Sequence, residues 1–100
     1  MEMIEMVSEI TAACTFTEMV PALGLAKHRT LVIETPATAN SGDTITFLKS
    51  VRGTVIGGTG FDATNGVIET LGIALAGDTY TVTVGTGSNA ARGYVLTMAR

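Results

Sequence analysis

Residues 79 to 84 read Thr-Tyr-Thr-Val-Thr-Val, and this stretch decides the fold class. Threonine occupies every second position, so an extended chain would turn Tyr80, Val82 and Val84 to one face and the threonines to the other. A period of two is the pattern of a strand with one buried face, whereas a helix repeats every 3.6 residues. β-Branched side chains also favour a pleated, half-buried surface. The stretch therefore predicts a β-strand.

The same alternation of threonine with apolar residues occurs elsewhere in the chain. There are 17 Thr among 100 residues, many of them alternating with Val, Ile, Tyr or Phe. Strand-like runs lie between turns rich in Gly, Asn and Pro: KHRTLVIET (27–35), DTITFLK (43–49), GTVIG (53–57), GVIET (66–70), DTYTVTV (78–84) and RGYVLTM (92–98). Several short strands of this kind predict an all-β protein, namely a small antiparallel β-sandwich or barrel with a short N-terminal arm or helix.

Charge divides the chain into two parts. Residues 1–26 hold four Glu and no basic side chain, while residues 27–100 hold five acids against six bases. We therefore expect an acidic N-terminal arm over 1–26 and a nearly neutral β domain over 27–100.

The arm carries a stripe of apolar side chains at helical spacing, which predicts a short helix over roughly residues 2–12. This stripe is the candidate interface, and it could either cover its own domain or dock on a neighbour. Its members are Met3, Met6, Val7 and Ile10.

Two internal repeats refine the prediction for the β domain. Gly-Asp-Thr-Ile-Thr at 42–46 recurs as Gly-Asp-Thr-Tyr-Thr at 77–81, a turn leading into a strand both times. Between Thr54 and Thr70, eight residues have an identical residue 27 positions later. We interpret this second repeat as two similar strand–turn–strand hairpins in one sheet system.

The stretch GGTGFDATNG at 57–66 contains the glycine spacing of a dinucleotide-binding turn. Such a turn must lead into a helix whose N-terminal amides hold the phosphates. Here Asn65-Gly66 is a hairpin turn signal instead, and the second copy at 85–93 is followed by too few residues for a βαβ unit. The sequence therefore predicts a turn and no cofactor.

Other residues with potential chemistry are few. One His and one Cys cannot make a zinc site, and Asp43, Asp62 and Asp78 fall in predicted turns without the spacing of a calcium loop. We predict no metal site, no catalytic residue and no enzymatic activity. A Cys14–His28 dyad is the least favoured alternative, because no third group is placed to orient it.

Charge and hydropathy also argue against several partners. The basic residues do not cluster as nucleic-acid binding requires. The longest charge-free run, residues 79–91, is rich in Thr and Gly and falls short of the roughly 20 apolar residues of a membrane span. Acidic residues stand where a signal peptide carries positive charge, which predicts a protein used without export. We expect neither nucleic acid nor membrane as a partner.

Composition favours assembly. Only 15% of the residues are charged and 46% are hydrophobic, with a net charge of -3. A domain of this size has a high ratio of surface to volume, so apolar side chains remain at its surface. Apolar surface of this kind marks a site of contact with a partner.

Three long stretches resemble the small Thr/Gly-rich β proteins of tailed phages and related viruses: HRTLVIETPATANSGDTITF (28–47), RGTVIGGTGFDATNG (52–66) and GDTYTVTVGTGSNAARGYVLTMAR (77–100). The resemblance implies a virion structural protein located in the virion, such as a capsid decoration (cement) subunit that binds and stabilises the shell as a homo-oligomer, for example a trimer. Its partners would be its own copies and the major capsid or other virion proteins.

Two alternatives to a decoration subunit remain open. One is a tail or head–tail component of the virion. The other is a ligand- or carbohydrate-binding β module, which would need exposed aromatic side chains. The five aromatic residues available for it are Phe16, Phe47, Phe61, Tyr80 and Tyr94.

Overall fold

A computed structural model describes residues 9–19, 28–69, 71–85 and 90–99 of the chain. Strands account for 62% of these residues, and every pair of neighbouring strands is antiparallel. The prediction of an all-β fold is therefore confirmed. In chain order the elements are a 3-10 turn (Thr11–Ala13), β1 (Thr15–Met19), β2 (His28–Glu34), β3 (Thr44–Leu48), α1 (Lys49–Arg52), β4 (Thr54–Asp62), β5 (Val67–Glu69), β6 (Gly72–Ala76), β7 (Thr79–Thr83) and β8 (Arg92–Ala99).

The strands form two sheets. The larger has five strands in the order β1-β2-β8-β4-β5, and the smaller has three in the order β3-β7-β6. The core lies between them, because its buried side chains come from both sheets and pack as one cluster: Leu31, Ile33, Ile45, Phe47, Tyr80, Val82, Tyr94, Leu96 and Met98. This arrangement is consistent with a small β-sandwich.

The alternation in β7 gives the strand its two faces as predicted. Tyr80 and Val82 are buried, whereas Thr83 is exposed. The Tyr80 ring stacks on Phe47, with ring centroids 5.2 Å apart. Its hydroxyl accepts a hydrogen bond from the backbone N–H of Val55 at 3.0 Å, beside an irregularity in β4. One side chain on the smaller sheet thus satisfies a backbone group on the larger one.

The two copies of the Gly-Asp-Thr repeat lead into strands that are neighbours in one sheet, but their aspartates make different hydrogen bonds. β3 and β7 are direct neighbours, with Thr44 opposite Thr83. Asp43 is buried and accepts a hydrogen bond from the Asn40 N–H at 2.9 Å. Asp78 accepts from the N–H of Ser50 at 3.0 Å and so caps α1 from the neighbouring turn.

The interpretation of the longer repeat as two hairpins in one sheet system is wrong. Its first copy is indeed a hairpin, β4 and β5, in the larger sheet. The second copy covers β7 and β8, which belong to different sheets. Similar stretches of sequence therefore connect strands of one sheet in the first copy and strands of different sheets in the second.

Part of the glycine stretch was also assigned wrongly. Residues 57–62 continue strand β4, and the turn is confined to residues 63–66. Gly60 and Gly58 lie opposite Tyr94 and Leu96 of β8. A side chain at either glycine would collide with those large residues, so the glycines are needed for strand packing.

The turn itself is held by Asp62. One carboxylate oxygen accepts from the N–H of Thr64 at 2.9 Å, and the other accepts from the side-chain amide of Asn65 at 2.9 Å. These donors, the Asn65 amide first, hold the pKa of Asp62 below its usual range. Gly66 has φ 72°, the left-handed conformation that the Asn-Gly signal predicts.

Three elements were not predicted: β1, β6 and the single helical turn α1. β1 lies within residues 1–26 and pairs along its whole length with β2. The predicted helix over 2–12 fails where it can be followed, because Glu9 bridges Thr44 and residues 11–13 form only a 3-10 turn. Ile10 donates its N–H to the Thr44 carbonyl at 2.8 Å, a bond that replaces helical pairing. Among the described residues no helix has the length and hydrophobicity needed to cross a bilayer.

Candidate functional site

The five-stranded sheet is the larger of the two sheets, and its outward side is a surface to which all five strands contribute. Residues directly opposite each other in antiparallel pairs point to the same side of a sheet. The strand registers therefore place four rows of side chains on the side away from the core, here called the outer face. Its rows are Thr15-Glu34-Gly93-Phe61-Ile68, Thr17-Val32-Val95-Thr59, Met19-Thr30-Thr97-Gly57 and His28-Ala99-Thr54.

The outer face is almost without charge. Among the described residues of these rows, Glu34 is the one carboxylate and His28 is the one basic residue. Threonine, valine and glycine fill its centre, while Ile68 and Met19 at its margins are 77% and 53% exposed. Covering the centre of such a face costs little desolvation, because threonine hydroxyls can find new hydrogen bonds and no ion at the centre has to leave water. Depletion of charge is also what distinguishes the core of a protein interface from other surface.

Charged groups of the same sheet gather elsewhere, at the edge where β1 meets α1. Glu18 lies 3.0 Å from the Arg52 guanidinium and 3.6 Å from that of Arg29. Arg52 also lies over the Phe16 ring, 5.1 Å from its centroid. Partly exposed pairs of this kind contribute only about 0 to 1 kcal/mol each. These ion pairs place charged groups at the β1 edge of the sheet, whereas the outer face is nearly uncharged.

A buried polar cluster lies at the opposite side of the fold. The Arg92 guanidinium is completely buried, and its Nε lies 3.0 Å from Oε2 of Glu69, whose side chain is 9% exposed. The other Glu69 oxygen accepts from the Gly85 N–H at 3.2 Å and from the Tyr94 hydroxyl at 3.3 Å. Arg92 also donates to the Ala90 carbonyl at 2.8 Å.

This cluster joins β5, the end of β7 and β8, so it ties both sheets together. Burial, and next the negative charge of Glu69, raise the pKa of Tyr94, which therefore stays a hydrogen-bond donor. We interpret the cluster as structural, because its polar atoms form hydrogen bonds and an ion pair with one another. Sequence reasoning missed it because Glu69 and Arg92 are 23 positions apart, and only the topology brings them together.

The structure does not bring Cys14 and His28 together. Cys14 precedes Thr15, which is opposite Glu34, whereas His28 begins β2 opposite Ala99. The two residues therefore lie at opposite ends of β2, about 20 Å apart at the usual rise per strand residue. Asp43, Asp62 and Asp78 belong to separate turns. Within the described ranges no three His, Cys, Asp or Glu side chains are grouped so as to hold a metal ion.

The Cys14 thiol is expected to react slowly with thiol reagents. It donates to the Ile10 carbonyl at 3.3 Å, and burial raises its pKa to about 11. At pH 8 the thiolate fraction is then about 100-fold lower than for a thiol with a pKa near 9, and the thiolate is the reactive form. Stopped-flow modification of the folded protein, compared with the urea-unfolded chain, measures this difference. Equal rates in both states would contradict the half-buried setting of Cys14.

The predicted interface residues Met3, Met6 and Val7 lie outside the described residues. Ile10 is half-buried and packs against the core cluster of its own chain. This is the contact expected of a segment that covers its own domain.

Comparisons with known proteins found no match to this chain among family models, curated proteins or solved structures. The resemblance to phage structural proteins therefore stays a prediction. The surfaces of the chain itself are what bears on its function, and the outer face is built by the larger of its two sheets.

Proposed function

We propose that this protein is a non-enzymatic structural subunit of a virion, a decoration subunit that lays its outer face on a capsid shell. The observation that carries the proposal is the near absence of charge on that face. In a protein that stays monomeric, a broad uncharged sheet surface of Thr, Val and Gly contributes no binding energy. In a subunit of an assembly, the same surface is buried against a partner at a low desolvation cost.

The size of the face fits attachment in many copies. Five strands about 4.8 Å apart and rows about 7 Å apart give a footprint of roughly 500 Å². A stable pairwise interface buries about 800 Å² on each partner. A single copy would thus bind weakly, while an oligomer that presents several such faces at once gains from their effective concentration.

A carbohydrate-binding role has less support. Sugar rings are bound by exposed aromatic side chains, and Phe61 is the one aromatic residue on the outer face. It is half-buried and lies across Gly93 of the neighbouring strand. Its ring therefore fills a gap in the sheet and does not stand free as a platform.

The proposal is tested with a charged substitution at the centre of the face. Thr97→Lys is expected to reduce retention on purified shells at least tenfold, because the ammonium group would have to be desolvated on binding. Thr83→Lys is the matched control, since Thr83 is also exposed but lies on the smaller sheet. Co-sedimentation with shells of the virus that encodes the protein measures retention, and circular dichroism verifies that both variants fold.

Equal loss of binding by the two variants, or none by either, would rule out the outer face as the attachment surface. Failure of the unmodified protein to bind shells would reject the decoration role. Binding to isolated tails instead would favour the tail alternative.

A further inference from the structure

The edges of the two sheets are protected unequally. An unpaired edge strand exposes a row of backbone N–H and C=O groups, and natural proteins usually cover or charge such edges. The β3 edge is covered, because Ile10 donates its N–H to the Thr44 carbonyl at 2.8 Å and the Thr11 hydroxyl accepts from the Thr46 N–H at 2.8 Å. Residues 9–11 thus occupy the place of a further strand.

The two edges of the larger sheet are protected in other ways. β1 carries Glu18, whose carboxylate binds two arginines and keeps charge at that edge. β5 has only three residues and ends at Glu69, which is engaged in the ion pair with Arg92. A short strand and a charged strand both discourage pairing with another chain.

Strand β6 has neither form of protection. Gly72–Ala76 reads Gly-Ile-Ala-Leu-Ala, which contains no charge and no proline. It is the end strand of its sheet, and within the described parts of the chain no strand pairs with its other side. Ala74, Leu75 and Ala76 are exposed, Leu75 to 44% although its side chain is apolar.

The hairpin turn fixes which backbone groups of β6 point outward. Gly77 and Asp78 form a two-residue turn, with Gly77 at φ 61° and Ala76 opposite Thr79. A two-residue hairpin turn closes on a hydrogen-bonded pair, so Ala76 bonds to β7. Because the pattern alternates along an antiparallel strand, Ala74 also bonds to β7. The N–H and C=O groups of Ile73 and Leu75 therefore point away from the sheet.

We propose that β6 pairs antiparallel with β6 of a second copy of this chain, about a two-fold axis at Ala74. This register aligns Ile73 of each copy with Leu75 of the other, and all their outward N–H and C=O groups are then hydrogen-bonded. An uncharged strand pairs with itself without repulsion, and its regular row of outward backbone groups matches the row presented by another extended chain. The three-stranded sheet becomes a six-stranded sheet across the pair.

The pairing rests on the homo-oligomer part of the proposed function and names the surface through which two copies meet. It leaves the outer face of the other sheet free for the shell. A five-residue strand buries less than the roughly 1,200 Å² at which stable interfaces begin. The pair is therefore concentration-dependent, as suits a subunit whose copies are brought together on a larger assembly.

Cysteine cross-linking tests the register directly. In the proposed pair the two Ala74 residues are directly opposite in a non-hydrogen-bonded position, with Cα atoms about 4.5 Å apart, within the range for a disulfide. The two Ala76 residues lie about 13 Å apart, since each is two residues from the axis. In a Cys14→Ala background, Ala74→Cys is expected to give a disulfide dimer under mild oxidation at least tenfold faster than Ala76→Cys.

Both test positions are exposed and lie on one face of β6, so random collision would cross-link them equally. Equal rates, or no dimer from either variant, would overturn the proposal. Adding Leu75→Pro to the Ala74→Cys variant should suppress the dimer, because proline removes an outward N–H without touching the bonds to β7. Shell retention of the unmodified protein is measured separately, so a failure of β6 pairing is distinguishable from a failure of the decoration role.

Discussion

Glu69→Ala is expected to lower the free energy of unfolding by about 3 to 5 kcal/mol, the range for removing one partner of a buried ion pair. The substitution leaves the fully buried Arg92 guanidinium without the carboxylate 3.0 Å away. It also takes the acceptor from the Gly85 N–H and the Tyr94 hydroxyl. Urea denaturation followed by circular dichroism measures the loss.

Two further variants separate the ion pair from a general effect of removing a carboxylate. Glu34→Ala removes an exposed carboxylate from the same sheet and should change stability by less than about 0.5 kcal/mol. The double variant Glu69→Leu/Arg92→Met removes both charges and should recover most of the loss, because an apolar pair needs no desolvation of ions. A loss below about 1 kcal/mol for Glu69→Ala would mean that water or another group replaces the carboxylate.

The strands that could be predicted from the sequence are those whose two faces differ in polarity. In β3 and β7 threonine alternates with larger apolar residues, and the buried set is the apolar one. In β6 glycine and alanine alternate with isoleucine and leucine, so both faces of the strand are apolar. The polar/apolar alternation that identifies a strand is therefore absent. β1 alternates as well, but its position in an acidic segment led to its assignment to the arm.

The assignment of strands to sheets could not be predicted, because similar stretches of sequence occupy different places in the fold. Gly58 and Gly85 are equivalent in the repeat, yet one lies within β4 and the other follows β7. The outer face exists only once β1, β2, β8, β4 and β5 are known to be neighbours. The composition shows that the chain has few charged residues. That the uncharged residues lie together on one face follows only from the strand topology.

Gly58→Ala is expected to destabilise the fold by about 1 to 3 kcal/mol, the usual cost of forcing extra atoms into packed structure. A Cβ atom at this position would lie 2.6 Å from Leu96 Cδ2 and 2.9 Å from the Val95 carbonyl oxygen. The leucine side chain can shift, but the carbonyl belongs to the central strand β8 and cannot. The strand pair β4–β8 would have to open locally.

Gly57→Ala, one residue earlier, is the matched control for this prediction. A Cβ atom there meets nothing within 4 Å, and the residue does not adopt a positive φ. Replacing glycine by alanine at such a site restricts the unfolded chain and stabilises by about 0.4 to 1 kcal/mol. The two neighbouring substitutions should therefore shift the urea midpoint in opposite directions. Shifts of the same sign and size would show that Gly58 is not held against β8, and that glycine in this stretch serves flexibility instead of close strand packing.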